Sequence, residues 1–331
     1  MPGQREFCDK LEQATQNGEK IALEDALRVL TDPEVPLLPL LDAAFQVRKR
    51  HFGLGVRVHI LNNVQNGLCP EDCNYCSQSV SAAGDIPVWG MKSDETILEE
   101  AARAHASGAY RYCLVLSGRG PGEERITHLA QVVNRLKQTF SMEVCLSAGF
   151  IDRQQAQRLK SAGLDRYNHN LNTAEERYGT ICRTHSYNDR LSTLQAAKSA
   201  GLEVCSGIII GMGESPEEVV EVATELHRLD ARSIPVNFYV HAPGASLGEQ
   251  NRLTPELCLR TLCLFRFLNP CAEIRAAGGR EANLRGLESL ALYPANSLFA
   301  EGYLNTSGHS ADRTMAMIRD AGFTVERVDE H

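Results

Sequence analysis

From Val56 onward, short apolar or β-branched runs alternate with amphipathic stretches, and this alternation limits the possible folds more than any other feature of the sequence. It is typical of βα units, in which helices cover a parallel sheet. Eight such units over about 270 residues match the usual size of a (β/α)₈ barrel, about 250 residues. We therefore predict an α/β fold, a TIM-type (β/α)₈ barrel, with a doubly wound open sheet as the alternative. The predicted strands are Val56–Leu61, Tyr110–Leu116, Glu143–Leu146, Arg166–Leu171, Glu203–Ile210, Ser233–Val240, Glu273–Ala276 and Ser297–Tyr303.

The first fifty residues lack a strand pattern and predict three helices, Glu6–Gln16, Leu23–Val29 and Leu37–Arg48. Neither a low-complexity linker nor a fixed-period repeat divides the remaining sequence. We therefore predict an N-terminal helical extension at residues 1–50, a barrel at 51–322 and a C-terminal tail at 323–331.

Composition narrows the class of partner. A formal net charge of −8 gives no basic footprint for nucleic acid, so we expect a small-molecule substrate. The N-terminal residues are polar rather than signal-like, and the apolar runs are shorter than a membrane span, so we expect a cytoplasmic protein without a membrane partner. Eleven cysteines in a reducing compartment indicate metal or redox chemistry rather than a disulfide framework.

Three of these cysteines, Cys69, Cys73 and Cys76, follow the first predicted strand directly. Barrel enzymes build their sites from loops at this end of the strands. Spacings of four and three residues allow three thiolates to bind one iron–sulfur cubane and leave its fourth iron open. A structural zinc site is the main alternative, but it requires four ligands, and no nearby histidine or cysteine completes the set.

Three further cysteines, Cys113, Cys145 and Cys205, lie within predicted strands. Because strand side chains alternate between the two faces, each of them can point into the barrel. Taken singly, each is more typical of core packing. Together with Arg275 at the corresponding position of the seventh strand, they indicate a second site inside the barrel.

Six stretches resemble the biotin synthase family of the radical S-adenosylmethionine superfamily: CPEDCNYCSQS, SGRGP, RYNHNLNT, CSGIIIGMGE, SIPVNF and EIRAAGGREANLR. They occur in the family's order across nearly the whole chain, and an aromatic residue precedes the last triplet cysteine. The resemblance implies a [4Fe–4S] cluster on Cys69, Cys73 and Cys76, whose open iron chelates S-adenosylmethionine. It also implies a [2Fe–2S] cluster that donates sulfur to dethiobiotin; its ligands would be Cys113, Cys145, Cys205 and Arg275.

By the same resemblance, Asn170 and Asn237 contact dethiobiotin, while Tyr75, Asn172 and Arg190 contact S-adenosylmethionine. An asparagine amide offers a donor and an acceptor, as a ureido ring requires, although asparagines at strand ends also serve turns. No catalytic residue beyond the cluster ligands is predicted. The implied partners are flavodoxin or ferredoxin as electron donor, iron–sulfur assembly proteins and a second copy of the chain.

Two other functions stay open at this point: another radical enzyme of mutase or maturase type, and a non-catalytic iron or zinc protein. His169 is expected to be a structural, hydrogen-bonding histidine. Cys258 and Cys263 lie on an apolar helix, Glu256–Phe267, and are predicted to be core residues. Cys8, Cys182 and Cys271 receive no role, and Cys271 stands out only by its nearness to Arg275 in sequence.

Overall fold

The computed structural model describes residues 2–242, 244–249 and 253–328. These residues form a closed parallel barrel, because the strands at its eight positions pair in order around the sheet and the strand Ser297–Ala300 pairs again with the strand Gly55–Gln65. The predicted (β/α)₈ barrel is therefore confirmed. The strands are β1 Gly55–Gln65, β2 Arg111–Leu116, β3 Glu143–Ser147, β4 Arg166–Asn168, β5 Glu203–Cys205, β6 Ile208–Ile210, β7 Ser233–Phe238, β8 Glu273–Ala276, β9 Ser297–Ala300 and β10 Thr324–Glu326.

The predicted strand Glu203–Ile210 is interrupted in the structure, and β5 and β6 share its barrel position. Cys205 pairs with Ser233, and Ile208 pairs with Val236 in the same register, so Gly207 faces Pro235. Proline has no N–H to give to the ladder, and pairing therefore lapses at this point.

Helices surround the barrel and bury one apolar face each. In the helix after β2, the buried positions Ile126, Leu129, Val132, Val133 and Leu136 recur with the helical period. The chain order is α1 Pro2–Gln16, α2 Leu23–Thr31, α3 Leu37–Phe52, α4 Asp94–Ala106, α5 Glu123–Thr139, α6 Arg153–Ser161, α7 Tyr178–Ile181, α8 Tyr187–Ser199, α9 Pro216–Arg228, α10 Pro255–Leu268, α11 Arg280–Leu284 and α12 Ala311–Asp320, with a 3₁₀ helix at Arg285–Leu292. Among the described residues, no helix is both long enough and apolar enough to cross a membrane.

The N-terminal helices are anchored to the barrel by buried arginines. Arg260 on α10 donates to the carbonyl of Val29 over 3.1 Å, and Arg48 on α3 donates to the carbonyl of Ala295 over 3.1 Å. At the other terminus, β10 pairs in parallel with the start of β1. Three residues of the predicted C-terminal tail therefore extend the sheet beside β1.

The side chains inside the barrel lie in layers, because residues two apart on a strand share a face. A charged layer at the amino ends of the strands contains Arg111, Glu143 and Glu273. The residues two positions further along are Cys113, Cys145 and Arg275, so the cysteines lie directly above this charged layer.

Candidate active site

The inner cysteines, Cys113, Cys145 and Cys205, share one small buried group with Ala277 and Phe299, apart from the main hydrophobic core. Cys113 and Cys145 are direct partners in the β2–β3 register. The neighbouring Cys113 thiol is the largest influence raising the pKa of Cys145 to about 12, whereas the Cys205 thiol lowers it. The structure therefore brings the three predicted ligands together in the barrel lumen.

Arg275 reaches the same layer from β8. Its guanidinium lies 4.9 Å from the centre of the Phe299 ring and donates through one nitrogen to Ser233 at 2.6 Å and to Glu273 at 2.8 Å. Its Nε is buried without a hydrogen-bond partner. Burial disfavours the charge, but the Cys205 thiol and Glu273 outweigh it and raise the pKa of Arg275. A buried cation with an unpaired nitrogen beside three thiols fits an anionic iron–sulfur group.

Glu273 organises the charged layer below the cysteines. Its carboxylate accepts from Arg111 over 2.8 and 3.0 Å and lies 3.2 Å from His59 Nε2 and 3.3 Å from Arg57. Burial opposes ionisation, but the attraction of Arg111, His59 and Arg166 prevails, so the pKa of Glu273 is well below its ordinary value. Glu273 therefore carries a negative charge that orients Arg275 from beneath.

The cysteine triplet lies in the loop after β1, which docks on the segment after α7. Asp72 accepts from the backbone N–H groups of Arg183 at 2.8 Å and Thr184 at 3.0 Å, and the Asn74 N–H donates to Ile181 at 2.9 Å. Burial raises the pKa of Cys69, whereas backbone N–H groups of Glu71 and Gly118 stabilise its thiolate. N–H groups directed at sulfur in this way suit a thiolate that binds iron.

The predicted substrate residues lie above the inner cysteines. Asn168 donates to Asn170 Oδ1 over 3.1 Å and to Cys205 Sγ over 3.2 Å, so it links an inner thiol to Asn170. Asn237 donates to the carbonyl of Ile208 at 3.1 Å and accepts from the Gly278 N–H at 3.0 Å. Asn168 was not among the predicted site residues, although its position two residues before Asn170 indicated a shared face.

Tyr75 lies in the triplet loop, Asn172 contacts Tyr75, and Arg190 contacts Asn170. Asn172 has a left-handed backbone, with φ of 72°, and its side-chain amide donates to the hydroxyl of Tyr75 over 2.6 Å. The buried guanidinium of Arg190 donates to the carbonyl of Asn170 at 2.8 Å and to the hydroxyl of Tyr178. These contacts join the two predicted binding regions into one polar wall.

Cys182 and His185 are two further residues near the site that were not predicted from the sequence. The Sγ atoms of Cys73 and Cys182 are 3.7 Å apart, and Cys182 Sγ lies 3.2 Å from Nδ1 of His185. The hydrogen bond from Cys73 is the main influence lowering the pKa of Cys182 to about 4. A cysteine and a histidine therefore do lie near the triplet, contrary to the prediction; no sequence pattern indicated them because Cys182 is 109 residues from Cys73 in the chain.

The remaining cysteines lie away from both sets. Cys258 and Cys263 are fully buried in the main core, as predicted. Cys271 is exposed, and its Sγ lies 3.7 Å from Nδ1 of His51 on α3. His169 is buried against Phe150, but its Nε2 has no hydrogen-bond partner. The expected hydrogen bond is thus missing at that nitrogen.

Comparisons with known sequences match most of the chain. The profile of the radical SAM superfamily matches residues 64–226, and that of the biotin and thiamin synthesis associated domain matches residues 235–324. A biotin synthase of Magnetococcus marinus is 64% identical over 318 residues, which cover 96% of this chain and 99% of that protein. A biotin synthase of Bacillus subtilis strain 168 is 44% identical over 313 residues, covering 95% of this chain and 93% of that protein.

Solved structures share the fold at low sequence identity. Methylornithine synthase superposes with a TM-score of 0.83 at 19% identity, covering 96% of this chain and 97% of its own. The FeFe-hydrogenase maturase HydG of Carboxydothermus hydrogenoformans has a TM-score of 0.80 at 17% identity, covering 97% of this chain and 80% of its own. These likenesses support the barrel fold.

Proposed function

This chain belongs to the biotin synthase family of the radical S-adenosylmethionine superfamily, and from that membership we propose how its residues divide the reaction between them. It is an enzyme that catalyses sulfur insertion to form biotin, using a [4Fe–4S] cluster and S-adenosylmethionine. When bound, these groups supply reductive radical chemistry, while the protein supplies binding, orientation and exclusion of water.

We assign Cys69, Cys73 and Cys76 to the [4Fe–4S] cluster, and Cys113, Cys145, Cys205 and Arg275 to a sulfur-donating [2Fe–2S] cluster. The observation that carries the second assignment is the separate lumen group of three thiols, joined by a buried guanidinium whose Nε has no partner. The ion pair with Glu273 accounts for one nitrogen of this guanidinium but leaves Nε unpaired, and an unpaired buried polar group costs about 1–3 kcal/mol. An anionic group bound to the three thiols would give Nε of Arg275 the partner it lacks.

Asn170 and Asn237 are proposed to bind the ureido ring of dethiobiotin, between the two cysteine sets. Asn170 is fixed on both sides, since its side-chain oxygen accepts from Asn168 and its carbonyl accepts from Arg190. Its amide N–H groups stay available to a substrate carbonyl. Tyr75, Asn172 and Arg190 form the neighbouring wall that we assign to S-adenosylmethionine.

The reaction requires an external electron donor, for which we propose flavodoxin or ferredoxin. Iron–sulfur assembly proteins would load both sites, and we propose that the chain acts as a homodimer in the cytoplasm. The three-part division at residues 1–50, 51–322 and 323–331 also stays a proposal.

Iron and sulfide analysis after anaerobic reconstitution tests the assignment. Both clusters are expected on each chain, with a Cys113→Ala, Cys145→Ala or Cys205→Ala variant losing only the [2Fe–2S] absorption. A wild-type chain that assembles the cubane alone would contradict the inner site, and zinc alone would contradict both.

A further inference from the structure

A second set of metal-binding groups surrounds Cys73. Cys73, Cys182 and His185 are all buried, and their ligand atoms lie within 4.8 Å of one another. Cys182 and His185 belong to the segment that follows α7, on which the triplet loop docks. Neither residue takes part in the assignments made above, so their convergence on one triplet cysteine needs its own explanation.

Two of the distances between these atoms are close to those of a tetrahedral metal site. Zn–S bonds of about 2.3 Å and a Zn–N bond of about 2.0 Å place two sulfurs about 3.8 Å apart, and sulfur and nitrogen about 3.5 Å apart. The two sulfurs are 3.7 Å apart here, and Cys182 Sγ lies 3.2 Å from His185 Nδ1. The third pair, Cys73 Sγ and a ring nitrogen of His185, lies within 4.8 Å.

The surroundings also provide the outer contacts of a metal site. Nε2 of His185 lies 2.8 Å from the Tyr178 hydroxyl and 3.0 Å from a guanidinium nitrogen of Arg190. Nδ1 binds an ion when the ring proton is on Nε2 and is donated to Tyr178, which requires release of the Arg190 contact. Glu71 Oε2 lies 2.5 Å from Nδ1, and Asp72 Oδ1 lies 3.3 Å from Cys182 Sγ. Either carboxylate lies close enough to be considered as the fourth ligand.

We propose that the cluster-free chain binds one thiophilic divalent ion, Zn²⁺ or Fe²⁺, through Cys73, Cys182 and His185. Such an ion joins the triplet loop to the segment after α7 before the cubane is built or after it is lost. Because Cys73 cannot serve both groups, the ion and the cubane exclude each other. Only this exclusion rests on the proposed function; the ion site itself does not.

Zinc binding to the cluster-free chain tests the proposal. The protein is kept anaerobic and reduced, so that Cys73 and Cys182 stay thiols, and is loaded with Zn²⁺, passed over a chelating resin and analysed for bound metal. Cys182→Ser and His185→Gln are each expected to retain one zinc ion fewer per chain than the wild type. Cys69→Ser is the matched control and should retain that ion, because Cys69 belongs to the triplet but not to the ion site.

Zinc held by the inner cysteines is common to all these variants and cancels in the comparison. If Cys69→Ser loses the ion while Cys182→Ser keeps it, the triplet alone binds zinc and the proposal is wrong. Co²⁺ provides a second measurement, since its visible spectrum must change in His185→Gln if a ring nitrogen is a ligand; an unchanged spectrum contradicts the site. Cys182→Ser should still assemble both iron–sulfur clusters, which separates failure here from failure of the proposed function.

Discussion

Single residues in the lumen each carry more than one contact, and their variants must be interpreted accordingly. Asn237 is an example, since both ends of its amide hold backbone groups, the carbonyl of Ile208 and the N–H of Gly278. Replacing Asn237 therefore removes the hydrogen bonds that connect β7 to β6 and to the residues after β8, as well as any substrate contact. Asn170 is the sharper probe, because Asn168 and Arg190 hold it while its amide nitrogen stays available.

Changing Asn170 to alanine is expected to weaken dethiobiotin binding by about 1–3 kcal/mol, because buried polar atoms of the ligand lose their partner. Equilibrium binding of dethiobiotin to the cofactor-loaded enzyme measures this loss. Asn188→Ala, at an exposed position on α8, is the control and should bind normally. Normal binding by Asn170→Ala would place the substrate elsewhere.

Cys145 and Cys263 form a matched pair of buried cysteines with different expected roles. Cys145→Ala should retain cleavage of S-adenosylmethionine but form no biotin, because it removes a ligand only from the inner cluster. Cys263→Ala removes a core thiol of the same size and should form biotin. In a single turnover, enzyme rebuilt with isotopically heavy sulfide should pass that label into biotin, as mass spectrometry can show.

Either of two results would exclude the inner cluster as sulfur donor. One is normal biotin formation by Cys145→Ala. The other is unlabelled biotin from labelled enzyme in an unlabelled buffer.

At the scale of elements, the junction between β5 and β6 shapes the upper lumen. The Gly207 carbonyl accepts from the Asn172 N–H over 2.9 Å, and the Asn172 carbonyl accepts from the Ile209 N–H over 2.9 Å. Asn172, which lies beyond the end of β4, therefore pairs through its backbone with the residues between β5 and β6. Its backbone is left-handed, and its side-chain amide donates to Tyr75. The interruption of the strand makes room for a residue of the proposed cofactor wall.

Gly207 is required for this junction because a Cβ there would lie 1.9 Å from the carbonyl oxygen of Pro235. Gly207→Ala is expected to destabilise the fold by at least about 1–3 kcal/mol, since backbone atoms must move to relieve the overlap. Thermal unfolding measures the loss. Gly286→Ala has nothing within 4 Å of the added carbon and should unfold near the wild-type temperature; equal midpoints for the two variants would contradict the close approach.

For the whole molecule, the Glu273 network ties distant parts of the barrel together. Its carboxylate contacts His59 and Arg57 on β1, Arg111 on β2 and Arg275 on the same strand, β8. The network closes the amino end of the lumen and supports Arg275 from below. Removing one partner of a buried ion pair leaves the others uncompensated, which costs about 3–5 kcal/mol.

Glu273→Gln is therefore expected to lower the free energy of unfolding by about 3–5 kcal/mol at neutral pH. The pKa of Glu273 is lowered in the folded state, so its charge stabilises the fold above the ordinary value of 4.5. This contribution is lost as the pH falls from 4.5 toward the folded pKa. Denaturant unfolding should thus show the wild type and Glu273→Gln converging at acid pH.

Glu99→Gln is the control for this pH dependence, because Glu99 is exposed on α4. It should follow the wild type throughout. A gap between the wild type and Glu273→Gln that stays constant down to pH 3 would show that the charge of Glu273 does not stabilise the fold.

The sequence alone predicted the barrel, and it was enough to group the cysteines into the triplet and the inner set. Strand and helix periods are local, and repeated alternation of the two leaves few ways to cover a parallel sheet. The triplet spacing is local as well. Cys113, Cys145 and Cys205 could be grouped because each lies inside a short strand whose neighbours in sequence are also its neighbours in the barrel.

Only the tertiary structure decided which side chains from different strands and loops meet. The break between β5 and β6 depends on the register that places Pro235 opposite Gly207, and the Glu273 network depends on closure between β9 and β1. Cys182 reaches Cys73 because the triplet loop docks on a segment 109 residues later. No sequence period encodes such distances: register, closure and loop docking follow from packing the whole chain, and they created the contacts that extend the site beyond its sequence motifs.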